Sequence, residues 1–219
     1  MKGFLRIAPF IGFVFIAREH WELAKAARFE LDGRLRESSK LAGEDAVVFE
    51  REKIGPLGIE LANHCIITIV FCALVVEGYI YDYAARRLSD NFVEAHLDKL
   101  GTVSKWVLVP RLVTGKEFPK GSKGFELLKE LVANRNSLIH SKSGPLFAFE
   151  QGSDQHAPSG RAEQILEFNG QLHRKAEAAI RTLDELALVM ESLDPEEITS
   201  FFFQANVGKR KSQIDKYGT

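Results

Sequence analysis

Cysteine is scarce: Cys65 and Cys72 are the only two among 219 residues. They fall two turns apart on one predicted helix, about 10 Å, which is beyond the reach of a disulfide within the chain. Reduced thiols point to the cytoplasm. No Cys/His set has the spacing of a zinc site, so no metal is expected. A Gly-rich phosphate loop, a nucleophile elbow and a dinucleotide fingerprint are also missing, so no cofactor is expected. Net charge is only −1, which excludes a general polyanion binder spread over the whole surface. Long apolar runs are lacking too. Gly3 to Ala17 is broken by Arg6 and Pro9, falls short of the ~20 residues of a membrane span, and has no clear cleavage signal after it. A second run, Ile66 to Val76, stops at Glu77. Both read as buried helix, and a soluble protein with no membrane partner follows.

What is present is helical periodicity. The apolar fraction of 45% suffices for a real core. Phe10 to Lys40 repeats Phe13, Ile16, Ala17, Leu23, Ala24, Ala27, Leu31 and Leu35 at helical spacing. Glu44 to Gly58, rich in Gly and Pro, reads as a break. Glu60 to Leu88 is a second long helix, with Ile66, Val70, Ala73, Leu74, Ile80, Tyr81 and Ala84 on one face and Asp82 outside it. Ser89-Asp90-Asn91 caps a short helix. Val103 to Leu112 is another, limited by Pro110. Gly160 to Leu193 is the longest. Its seven-residue repeat of Ile165, Leu172, Ala179, Leu186 and Leu193 reads as a bundle face, with a coiled-coil seam between subunits as the alternative. Pro195 opens a last short apolar helix, and a basic tail follows from Gly208. The fold class is therefore all-α, a helical bundle with long N- and C-terminal helices.

One stretch carries the chemistry. Between Lys99 and Lys142 nine Lys/Arg stand against three Glu and no Asp, so this part is basic while the remainder is acidic. Basic patches are how phosphate backbones are met. Within it, 122–142 places Leu128, Leu131, Val132, Leu138 and Ile139 on one helical stripe, and Arg135 falls in the middle of that stripe. Asn136 and His140 are i,i+4 neighbours at its edge. A buried Arg keeps its proton and needs a carboxylate, a phosphate or carbonyls. Glu77 is stranded in the apolar face of the second long helix in the same way. The two are expected to form a buried pair between neighbouring helices. Gly144-Pro145 ends the motif helix, leaving His140 in its last turn, where the helix's negative end favours the protonated imidazole. The other histidines, His20, His64, His96, His156 and His173, read as structural or solvated.

The run Arg135-Asn136-Ser137-Leu138-Ile139-His140 resembles the Arg-x4-6-His signature of the HEPN superfamily, the higher-eukaryote and prokaryote nucleotide-binding domains. Val76-Glu77-Gly78-Tyr79 is similar to the acidic segment on that family's earlier helix. Ser104-Lys105-Trp106 and 115–122 are similar to the linker in a group of its bacterial members. The resemblance implies a HEPN-like bundle over 55–195, with 1–45 as an N-terminal helical extension and 196–219 as a short apolar helix and basic tail. It also implies a homodimer that cuts single-stranded or looped RNA without metal, as a toxin or defence component paired with an antitoxin or partner protein. By that analogy Arg135 and His140 are catalytic, Asn136 holds the imidazole or contacts the substrate, and Glu77 holds Arg135. Where some relatives carry a modified Tyr two residues after the His, this chain has Lys142, so that form of regulation is not carried over.

Arg135 and His140 lie about 140° apart on an ideal helix, and dimerisation would bring two copies of the motif into one cleft. Two other readings stay open: a non-catalytic HEPN module that binds nucleic acid, a nucleotide or a protein, and a purely structural bundle.

Overall fold

A computed structural model describes residues 8–139 and 158–197. All regular structure among them is helical, and the helices pack as an all-α bundle. The last short helix expected from Pro195 is a turn as far as Glu197, and its remainder lies outside the described residues, as does the basic tail.

Helix α1 (Phe10–Ser38) matches the expected extent; of the face read from the sequence, Ala17, Ala24, Ala27 and Leu31 are buried, whereas Leu23 is 42% exposed. It lies along α3 (Gly55–Arg87), its most extensive neighbour, and buries Phe10, Val14, Ala17, Ala24, Ala27 and Leu31. The approach is close because Gly78 has no side chain: a Cβ there would stand 3.0 Å from Phe10 Cβ. The break expected at Glu44 to Gly58 does not form. Instead α2 (Gly43–Phe49) continues through a π-turn at Glu50–Ile54 into α3. Proline explains this: Pro56 has no N–H to give and crowds the carbonyl one turn back. The ladder widens there, and Gly55 N–H bonds to Glu50 O, five residues back.

Taken by length and composition alone, the continuous helix 43–87 could cross a membrane. Here α3 is the core helix of the bundle, touching α1, α5, α6 and α7. It buries Leu61, Cys65, Ile69, Cys72, Val75, Val76, Tyr79, Ile80 and Tyr83 completely. The face read from the sequence is rotated relative to this. Tyr81 is at the surface and Asp82 is buried, because α3 is covered from several sides and its buried arc is wider than one stripe.

Both thiols sit inside this core. Burial pushes the Cys65 thiol up to about 12 and raises Cys72 further still. Neither is a thiolate near neutral pH. The native protein should therefore resist a thiol reagent at pH 8, and both cysteines should react in concentrated urea. Rapid native labelling would contradict the packing.

Beyond α3, Ser89 turns the chain with φ 139° and its hydroxyl accepts Phe92 N–H, capping α4 (Asp90–Phe92). A second π-turn follows at Val93–Leu97. Helix α5 (Thr102–Thr114) carries Pro110 inside it and runs on to Thr114, so proline does not limit it as expected. It ends at Gly115, whose φ of 74° is the left-handed conformation that glycine adopts without cost. Helix α6 (Lys123–Ile139) then packs on α3 and on α7 (Pro158–Leu193). Leu172, Ala176, Ala179, Leu183, Leu186, Met190 and Leu193 of α7 are buried within this one chain, so the heptad is a bundle face.

The far end of α7 is tied to α3 by charge. Arg86 clasps Glu197 through both terminal nitrogens, at 2.9 and 3.1 Å, and gives Nε–H to Asp82 at 2.7 Å. Arg87 and the Tyr83 hydroxyl both donate to Asp194 Oδ2 at 2.8 Å. Burial opposes the charge on Arg86, but the bonds to Glu197 and Asp82 outweigh it and leave its pKa above the ordinary value. The Glu197 side chain is only 1% exposed. Arg86→Met would remove the bidentate partner of that carboxylate and leave Arg87 Nε at 4.0 Å, and should lower stability by about 2 kcal/mol in urea denaturation. A loss below about 1 kcal/mol would show that the cluster is only a surface ornament.

Candidate functional site

Arg135 and Glu77 meet as the sequence pattern requires. Arg135 Nη2 donates to Glu77 Oε2 at 2.8 Å, bridging α6 and α3. Arg135 Nη1 donates to Asn136 Oδ1 at 3.0 Å, so Asn136 braces the guanidinium from its own helix. The remainder of the guanidinium fork has no protein acceptor among the described residues. His140 lies outside the described residues.

The expected burial is corrected. The two side chains are 27% and 41% exposed, so the pair stands at the edge of the core. The apolar stripe of α6 explains why. Gly124, Leu127, Leu128 and Leu131 are buried, but Val132 and Leu138 are only half-buried and Ile139 is 55% exposed. Burial fades toward the end of α6, and Arg135 stands where it fades. A pair of this exposure contributes about 1 kcal/mol, well short of the 3 kcal/mol of a fully buried one. Register-fixing is thus a poor account of it. Among the described residues the guanidinium has one carboxylate bond and donors beyond those it uses, an arrangement in which an arginine can also bind an anion.

The ground under the site is rigid. Trp106 on α5 is fully buried; its indole N–H bonds to Val76 O at 3.0 Å, one residue before Glu77. Tyr79 stacks on the same indole, and Phe118 meets it edge-on. Glu77 therefore projects from a stretch of α3 fixed by aromatic packing on one side and by Phe10 against Gly78 on the other.

Other cations of the basic stretch 99–142 are already engaged. Arg111 pairs with Glu117 and Lys129 with Glu126, whereas Lys99, Lys120 and Lys123 are exposed. Among the described residues no group of three or more His, Cys, Asp or Glu is placed to hold a metal.

Sequence reasoning missed other polar groups. His20 and His64 do have company: their Nδ1 atoms face each other at 2.8 Å across α1 and α3, one ring donating and the other accepting. Arg18 of α1 bonds Asp184 of α7 at 3.0 Å. His173 lies against Trp21; burial and the nearby Arg28 charge lower its pKa. The signal for these groups is tertiary, since each partner is on a different helix. Lys105 was missed as well: it is 6% exposed, with its ammonium 5.8 Å from the centre of the Tyr81 ring. Set against models of protein families, against curated proteins and against solved structures, the chain matches none.

Proposed function

We propose that the chain is a metal-independent endoribonuclease of the HEPN type, acting as a homodimer on single-stranded or looped RNA in the cytoplasm. The observation that carries the reading is the partly exposed Arg135, aimed by Glu77 and Asn136, with guanidinium donors that no other described residue takes up, on the basic part of the chain. In this reading the 2′-hydroxyl attacks the adjacent phosphorus, and His140 takes its proton as the new O–P bond forms. The bond to the 5′-oxygen breaks, and that oxygen takes a proton from the second His140 of the dimer. The products are a 2′,3′-cyclic phosphate and a 5′-hydroxyl. Arg135 neutralises charge on the non-bridging oxygens, where a cation held in place gains most. An antitoxin or other partner protein would act by covering this face.

The test is incubation of the purified protein with unstructured RNA in EDTA, with DNA of the same sequence as control. RNA should be cut and DNA spared, because DNA lacks the attacking hydroxyl. RNA bound but left intact would instead support a non-catalytic binding module.

A further inference from the structure

Among the described residues, α2 is the helix with the least to pack on. It buries no residue, and its one extensive contact is with the π-turn that follows it. Yet its surroundings are not polar. Leu41 and Val47 stand 40% and 44% exposed, and Val48 and Phe49 are only half-buried. Leu41, Val48 and Phe49 line an open hollow of about 440 Å³ at the corner where α1 gives way to α2. Glu44, Asp45 and Glu52 rim it, against one cation, Lys53. Arg51 takes up Glu52 at 3.5 Å, whereas Glu44 and Asp45 enter no ion pair among the described residues. An apolar floor edged by unpaired carboxylates suits a segment that carries large apolar side chains next to cations.

The chain itself carries such a segment. Past Glu197 the sequence runs through Phe201-Phe202-Phe203 to Lys209-Arg210-Lys211, with no acidic residue before Asp215. Reach decides which copy it can serve. Glu197 is clasped to Arg86 at one end of the continuous helix 43–87, and the hollow is at the other end. At 1.5 Å per residue, Glu52 to Arg86 spans about 50 Å. Fully extended, the chain from Glu197 to Phe203 covers at most about 22 Å. The three phenylalanines therefore cannot reach the hollow of their own chain. A second copy lying antiparallel brings its hollow beside Glu197 of the first.

We propose that 201–211 of one copy docks in the hollow of a second copy, and that the exchange is reciprocal. Phenylalanine covers Leu41, Val48 and Phe49, and the basic triplet faces Glu44 and Asp45. Two identical contacts close a two-fold dimer, so no filament grows from it. The inference rests on the homodimer of the proposed function, names what holds it, and asks nothing of the RNA chemistry.

The experiment is sedimentation velocity of the full chain across a range of concentrations. Glu44→Lys with Asp45→Lys, both at exposed positions, should weaken the dimer at least about tenfold. Lys209→Glu with Arg210→Glu and Lys211→Glu should do the same. Joining the two sets in one chain brings opposite charges back together, and should restore dimerisation to within about threefold of the parent. Phe202→Ser with Phe203→Ser leaves the hollow untouched, and should also weaken the dimer at least about tenfold. A dimer that none of these variants weakens is held by another face, which overturns the inference and leaves the proposed homodimer standing. Charge sets that weaken the dimer without restoring it when joined overturn the inference as well. A parent that stays monomeric removes the inference and the homodimer together.

Discussion

Under the proposed ribonuclease reading, Arg135→Ala and His140→Ala are each expected to slow RNA cleavage in EDTA by about 10²- to 10⁴-fold. The structure makes the arginine variant interpretable. With 27% and 41% of the two side chains exposed, loss of the pair leaves Glu77 free to hydrate, and stability should fall by only about 1 kcal/mol. The arginine variant should therefore melt close to the parent, so its lost activity cannot be blamed on lost fold. Glu77→Ala belongs in the same series. It leaves Arg135 present but unaimed, and should reduce cleavage less than removing Arg135 itself. His140→Ala cutting RNA at the parental rate would mean that another group moves the proton, and the chemistry would have to be reassigned.

Trp106→Ala should be the most damaging single truncation near the site, costing about 4 kcal/mol. The indole is fully buried, stacks on Tyr79 with ring centres 5.5 Å apart, and bonds to Val76 O. Removing it opens a cavity between α3 and α5. Trp106→Phe keeps much of the volume and loses only the hydrogen bond and part of the stack, so it should cost about half as much. Urea denaturation measures both. If alanine costs less than about 1 kcal/mol, α5 is not anchored as described, and the position of Lys105 loses its support.

The long helices were legible because their periodicity is a property of one segment at a time. Phe10 to Lys40 as read from the sequence and Phe10–Ser38 as found differ only at the fraying end. The π-turn at Glu50–Ile54 was not legible. Gly55, Pro56 and Gly58 signal a break in most chains, and only the change of hydrogen-bond register lets the helix pass through them. Pro110 misled for a related reason: a proline costs one bond, and packing of α5 on α3 outweighs it. The partnership of Glu77 with Arg135 could be read because each charge interrupts an apolar stripe. Their exposure could not, since nothing in the pattern of α6 says that burial fades after Leu131. Lys105 was hidden by chemistry: a lysine whose stem is buried looks, in sequence, like any solvated lysine.

The central place of α3 has a consequence for how the molecule opens. A helix packed on α1, α5, α6 and α7 cannot lose its own hydrogen bonds while those neighbours stay seated, so its backbone breaks only when the whole core does. Helix α2 buries no residue and can come apart by itself at little cost. The free energy of opening is thus graded along a single continuous helix, from a loosely held start to a centre as stable as the protein itself. Glu77 is on the most stable step of that gradient. Its partner Arg135 stands past Leu131, on the part of α6 where burial has faded, so the two halves of the pair rest on ground of unequal stability.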